Sequence, residues 1–75
     1  MKRSDKEIKA EIARLEKIKD SGKMGAYRAY DQIEALQNCL AMDGEEIEGK
    51  IEEIADTDYE IYCVYDWAIN GRDSF

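Results

Sequence analysis

Apolar residues return along this chain at intervals of three and four, the spacing that gathers them on one face of a helix. Nowhere do they alternate singly with polar residues, as half-buried strands require. Ile8, Ile12, Leu15 and Ile18 form the first stripe, with Ser4 and Glu7 placed as a capping box ahead of it and Ser21-Gly22 as its stop. After a loop around Gly22 and Gly25, a second helix is predicted from about Ala26 to Met42. Its inward face is expected to carry Ala26, Ala29, Tyr30, Ile33, Leu36 and Leu40, until Asp43-Gly44 breaks the pattern.

The same start signal recurs at Asp43 with Glu46 and at Thr57 with Glu60, each just ahead of another periodic segment. A third helix carries Ile47, Ile51 and Ile54. A fourth carries Ile61, Val64, Tyr65, Ala68 and Ile69 and stops at Asn70-Gly71. The expected fold class is all-α: one domain, a compact four-helix bundle built from two αα-hairpins, residues 4–42 and 43–71. The halves align weakly, Glu7, Ile8, Ile12 and Leu15 matching Glu46, Ile47, Ile51 and Ile54 at an offset of 39. Any two amphipathic helices share such a spacing, so periodicity leaves duplication open.

Helix four, "YEIYCVYDWAING", is apolar or aromatic over most of its wheel, leaving Tyr59, Cys63, Asp66 and Asn70 on the remaining side. That pattern predicts a central helix packed by the three others. Because Trp and Tyr are the side chains most enriched at binding hot spots, Tyr62 and Trp67 are also candidate partner contacts.

Composition narrows the function. The chain has 75 residues, 44% of them hydrophobic, with seven aromatics (one Trp, five Tyr, one Phe) and no proline, which is enough to fold but near the lower limit for a single core. Cys39 and Cys63 are not at metal-ligand spacing and histidine is absent, so they read as buried free thiols, with no zinc site. "DTDYE", residues 56–60, alternates carboxylates but lacks the glycine and the terminal glutamate of a calcium loop. No nucleophile–base pair can be assembled, so a non-enzyme without cofactor is expected. The N-terminal charges precede no apolar run, and no segment approaches the roughly 18 apolar residues of a membrane span, so a cytoplasmic location is expected.

Charge is distributed unevenly. Residues 1–42 hold nine Lys/Arg and seven Asp/Glu, whereas residues 43–75 hold two and eleven, so the net charge of −7 lies in the second half. Within residues 45–60 there are eight carboxylates and one basic side chain, Lys50, which is placed to pair with Glu46 or Glu53. On the third helix Glu45, Glu48, Glu52 and Asp56 fall opposite the isoleucine stripe. Their i,i+4 repulsions cost about 0.2–0.5 kcal/mol each with no cation on that face to relieve them. The first helix instead mixes Asp5 with Lys9, Glu11 with Arg14 and Glu16 with Lys19, as a solvated face does. An acidic face also serves solubility. As a docking surface it would attract a basic protein, and one-turn carboxylate spacing is close to that of successive phosphates on a nucleic-acid strand. The candidate partner-binding residues are Glu45, Glu48, Glu52, Glu53, Asp56, Asp58, Tyr62, Asp66 and Trp67.

The segment "EIARLEK…DQIEALQNCL", within residues 11–40, resembles the helical hairpins of small proteins common in bacteriophages and mobile elements. In size, acidity and lack of catalytic residues the chain is similar to small phage-encoded inhibitors of host defence, including anti-CRISPR proteins, several of which are acidic nucleic-acid mimics. That resemblance implies inhibition by covering a basic nucleic-acid-binding surface. The mixed first helix departs from whole-body mimicry and directs attention to the second hairpin. The rival expectation is a structural or adaptor protein, such as a homodimer, formed through helix four. Direct nucleic-acid binding through Lys2, Arg3, Lys6, Lys9 and Lys17 is disfavoured, since the rest of the chain repels phosphate.

Overall fold

A helix start leaves backbone N–H groups without partners, and three of the four starts here are answered by a short polar side chain. The computed structural model describes residues 2–75, arranged as α1 (Asp5–Asp20), α2 (Ala26–Ala41), α3 (Gly44–Ile54) and α4 (Tyr59–Asn70). Ser4 Oγ accepts from the Glu7 amide at 3.2 Å, and the Glu7 carboxylate in turn accepts from the Ser4 hydroxyl. Asp43 and Glu46 form the full reciprocal box, with bonds of 2.8 and 3.2 Å.

The fourth helix departs from expectation by one residue. Its cap is Asp58, whose carboxylate accepts the Ile61 amide at 3.2 Å, and not Thr57. The reason lies upstream. The Thr57 and Asp58 amides both donate to Ile54 O, at 3.0 and 3.1 Å, and the Thr57 hydroxyl donates to the same carbonyl. Thr57 therefore closes α3, and Asp58 stands outside the helical conformation at φ −146°, ψ 89°. Gly71 ends α4 in the left-handed conformation, φ 73°, as the Asn70-Gly71 signal predicted.

Each αα-hairpin packs on itself, α1 on α2 and α3 on α4, and the two join through α2 and α4. Both of those helices are therefore central to the bundle. Ile8, Leu36, Cys39, Ile47, Val64 and Tyr65 are essentially fully buried, so every helix contributes to the core. Burial pushes the Cys39 thiol up to about 11, and both cysteines are free and buried. Tyr30 is not part of this core: it is 57% exposed, while Gln32, Ala35 and Cys39 turn inward with Ala29, Ile33 and Leu36. Successive helical residues are about 100° apart, so Tyr30, next to the buried Ala29, lies off the edge of the stripe.

One further position on α4 differs from the sequence reading. Cys63, expected on the outer side, is buried beside Leu15, Ile18 and Phe75. Trp67 is buried as well, at 5% exposure. Phe75 meets its ring edge-on at 5.5 Å, and the Arg3 guanidinium lies 4.2 Å from its centroid. Arg3 also donates from Nε to Trp67 O and from Nη2 to Arg72 O, both at 2.6 Å, while its amide donates to Ala68 O at 2.7 Å. A cation is thus placed at the negative end of the α4 dipole.

Candidate partner-binding surface

The acidic face begins with what α3 buries and what it leaves out. Ile47 alone is fully buried, Ile51 and Ile54 are half-buried, and the intervening carboxylates have only solvent to face. Glu45, Glu48, Glu52 and Glu53 are exposed on the helix, and Asp56 and Asp58 are exposed at the α3–α4 junction. Lys50 reaches Glu53 at 3.9 Å, the one ion pair on α3 among the described residues. The helix ends at Ile54, so Asp56 lies in the turn and not on a fourth rung of the stripe, leaving Glu48–Glu52 as the repulsive i,i+4 pair within the helix.

The macrodipole gives these charges opposite meanings at the two ends of α3. Glu45 and Glu46 stand in the first turn, where negative charge is favourable; Glu52 and Glu53 stand in the last turn, which contains no basic residue. The C-terminal carboxylates are therefore not explained by helix stability.

The surface continues onto α2. Asp31 and Glu34, with Asp58, line an open groove of about 270 Å³ whose remaining wall is Ala35, Asn38, Ile61 and Tyr65. Asn38 Nδ2 donates to the Tyr65 hydroxyl at 3.5 Å across it. Sequence reasoning assigned Asp31 and Glu34 to the mixed first half and missed them. Their spacing of three, with Asn38 one turn beyond, was the signal that they share a helix face.

The remaining candidates are divided by the fold. Asp66 is partly buried and engaged, accepting from Asn70 Nδ2 at 2.6 Å and Arg72 Nη1 at 3.3 Å. Tyr62 is half-buried and stacked on Tyr59, with ring centroids 6.0 Å apart. Trp67 is enclosed by Arg3 and Phe75 and is not offered to a partner. The exposed large side chains are instead Met24, Tyr27, Tyr30 and Tyr59.

The basic residues follow a different pattern. Lys2 Nζ donates to Met42 O at 2.8 Å and Leu40 O at 3.3 Å, and Arg3 is bound to the end of α4, so two of the five cations proposed for phosphate contact serve the fold. Among the described residues there is no group of three or more potential metal ligands, and no helix is long and apolar enough to cross a membrane. In comparisons with known proteins, the chain matches no family model, no curated protein and no solved structure.

Proposed function

We propose that this protein is a non-catalytic binding protein whose acidic second hairpin docks on a basic, nucleic-acid-binding surface of a partner protein. The observation that carries this reading is the set of exposed carboxylates Glu45, Glu48, Glu52, Glu53, Asp56 and Asp58 on α3 and its junction with α4, with Lys50 as the one ion-pairing cation on α3 among the described residues. Such a surface steers basic partners into encounter and repels nucleic acid itself. The groove lined by Asp31, Glu34 and Asp58 widens the acidic face to α2. Inhibition by occupation, as in the phage-encoded inhibitors that the chain resembles in size and acidity, is the physiological form we assign to it.

The adaptor reading through helix four has less support, because Trp67 and most of the helix are used internally. The test is the double charge reversal Glu48→Lys with Glu52→Lys. Proteins of the native host retained on the wild-type protein at low salt should be released by added nucleic acid and by salt, and should not be retained by the double variant. Retention at wild-type strength by the variant would remove the acidic surface from the interaction.

A further inference from the structure

A second groove, of about 550 Å³, lies where the end of α1, the starts of α2 and α4, and the 71–75 tail converge. Leu15, Ile18, Ala29, Cys63 and Phe75 give it an apolar lining, and the volume falls in the range of pockets that hold small ligands. Gln32 belongs to this wall and is more than nine-tenths buried, the one buried polar residue among those described. Its carboxamide makes no side-chain hydrogen bond to the described residues. Among the described residues no fully enclosed side-chain N or O atom lacks a partner, so the amide keeps some solvent contact, and Gln32 lines this groove. A carboxamide offers one acceptor and two donors, which a ligand in the groove engages in place of water.

The electrostatics of this groove are opposite to those of α3. Gly25, φ 98°, opens α2 without a side-chain cap, and no acidic residue stands in the first turn. The Ala26 amide donates to Lys23 O and the Ala29 amide to Gly25 O, which leaves the Tyr27 and Arg28 amides without a backbone acceptor at the positive end of the dipole. Arg14, Arg28 and Arg72 line the rim against one carboxylate, Glu60. Arg14 engages Glu11 through Nε, Arg28 engages Glu60 through Nε at 3.1 Å, and Arg72 uses Nη1 for Asp66 and Nε for Ser74 O. Each guanidinium carries five N–H donors, so each keeps donors for a ligand. The Tyr59 phenol and then the Asp66 carboxylate hold Arg72 still more firmly charged.

We propose that this groove binds the free C-terminus of a peptide whose last residue is apolar. The carboxylate sits at the start of α2 beside Arg28, the apolar side chain covers Leu15, Ile18 and Cys63, and Gln32 pairs with the last peptide group. Backbone amides and guanidinium forks suit a carboxylate, and a carboxamide suits a peptide link. The probe is acetyl-glycyl-leucine, compared with the same peptide bearing a C-terminal amide, followed by backbone and side-chain ¹⁵N resonances. The acid should shift the Gly25, Tyr27 and Arg28 amides and the Gln32 side-chain NH₂ group saturably, and the amide should bind at least tenfold more weakly. Arg28→Ala, on the exposed rim, and Gln32→Met, which conserves volume, should each weaken acid binding about tenfold, as the loss of a charged or buried hydrogen bond implies. No saturable shift with the acid, equal binding of acid and amide, or unchanged affinity in both folded variants would overturn the assignment.

Discussion

α1 and α3 are the leading helices of the two hairpins, share an apolar register at an offset of 39, and use their charges in opposite ways. α1 buries Ile8, Ile12 and Leu15, begins with Asp5 and Glu7, and ends with Lys17 and Lys19, so its charges complement its dipole at both ends. Pairs such as Arg3–Glu7 and Glu11–Arg14 neutralise its face locally. α3 buries Ile47 alone and places Glu52 and Glu53 where the dipole disfavours them. The difference separates a helix whose charges support its own fold from one whose last-turn charges do not.

The sharpest break of that comparison is at the anchor. Ile47→Ala should cost about 2–5 kcal/mol, the range for deleting a buried isoleucine. Hydrogen exchange should show protection lost from α3 amides before α1 amides, since α1 retains three buried side chains. Uniform loss across both helices would show that α3 has no separate stability.

Arg3→Ala comes next, at about 1.5–3 kcal/mol, because it strips charged donors from Trp67 O and Arg72 O and uncovers the Trp67 ring. Tryptophan fluorescence should shift to the red. The same substitution tests the pH response: the Arg3 hydrogen bond, then Ser4, holds Glu7 below its ordinary 4.5. A depressed carboxylate pKa stabilises above the unfolded value and ceases to do so as pH falls through the folded one. The stability difference between wild type and Arg3→Ala should therefore narrow below about pH 4.5 in acid titrations followed by circular dichroism.

At the α3–α4 junction, Asp58→Ala should cost about 1 kcal/mol, as loss of a helix cap does. Thr57→Ala should cost less, because its hydroxyl bond to Ile54 O duplicates two backbone bonds to the same carbonyl. Paired chemical denaturation curves check the order, and the reverse order would put the start of α4 at Thr57.

The smallest effect is the most telling for α3. Glu48→Lys with Glu52→Lys should leave stability unchanged or raise it by about 0.3 kcal/mol, since one like-charge i,i+4 pair replaces another while a cation enters the last turn. The equivalent reversal of Lys17 and Lys19 to Glu on α1 should destabilise, and thermal melts of the two variants should move in opposite directions.

Legibility followed the range of the interactions. The Ser4–Glu7 and Asp43–Glu46 caps and the Gly71 stop were readable because each joins atoms within a turn of one another. Thr57 was misread by one residue because sequence spacing does not show which of two neighbouring residues leaves the helical conformation first. The exposed carboxylates of α3 were readable from the isoleucines opposite them, whereas the fate of Trp67 was not, since both Arg3 and Phe75 reach it only through the folded chain.

The sequence by itself determined that the chain is helical, where three of its four helices begin, and that its negative charge gathers in the second hairpin. These properties arise from bonds and side-chain periodicities spanning a few residues. Tertiary structure decided that Trp67 is enclosed, that Asp31 and Glu34 share a groove with Asp58, and that Gln32 stands beside an arginine rim. Those juxtapositions depend on how helices pack across long stretches of chain, as in the bond from the Arg3 amide to Ala68 O, and that packing is selected by the shape of buried side chains on both helices at once.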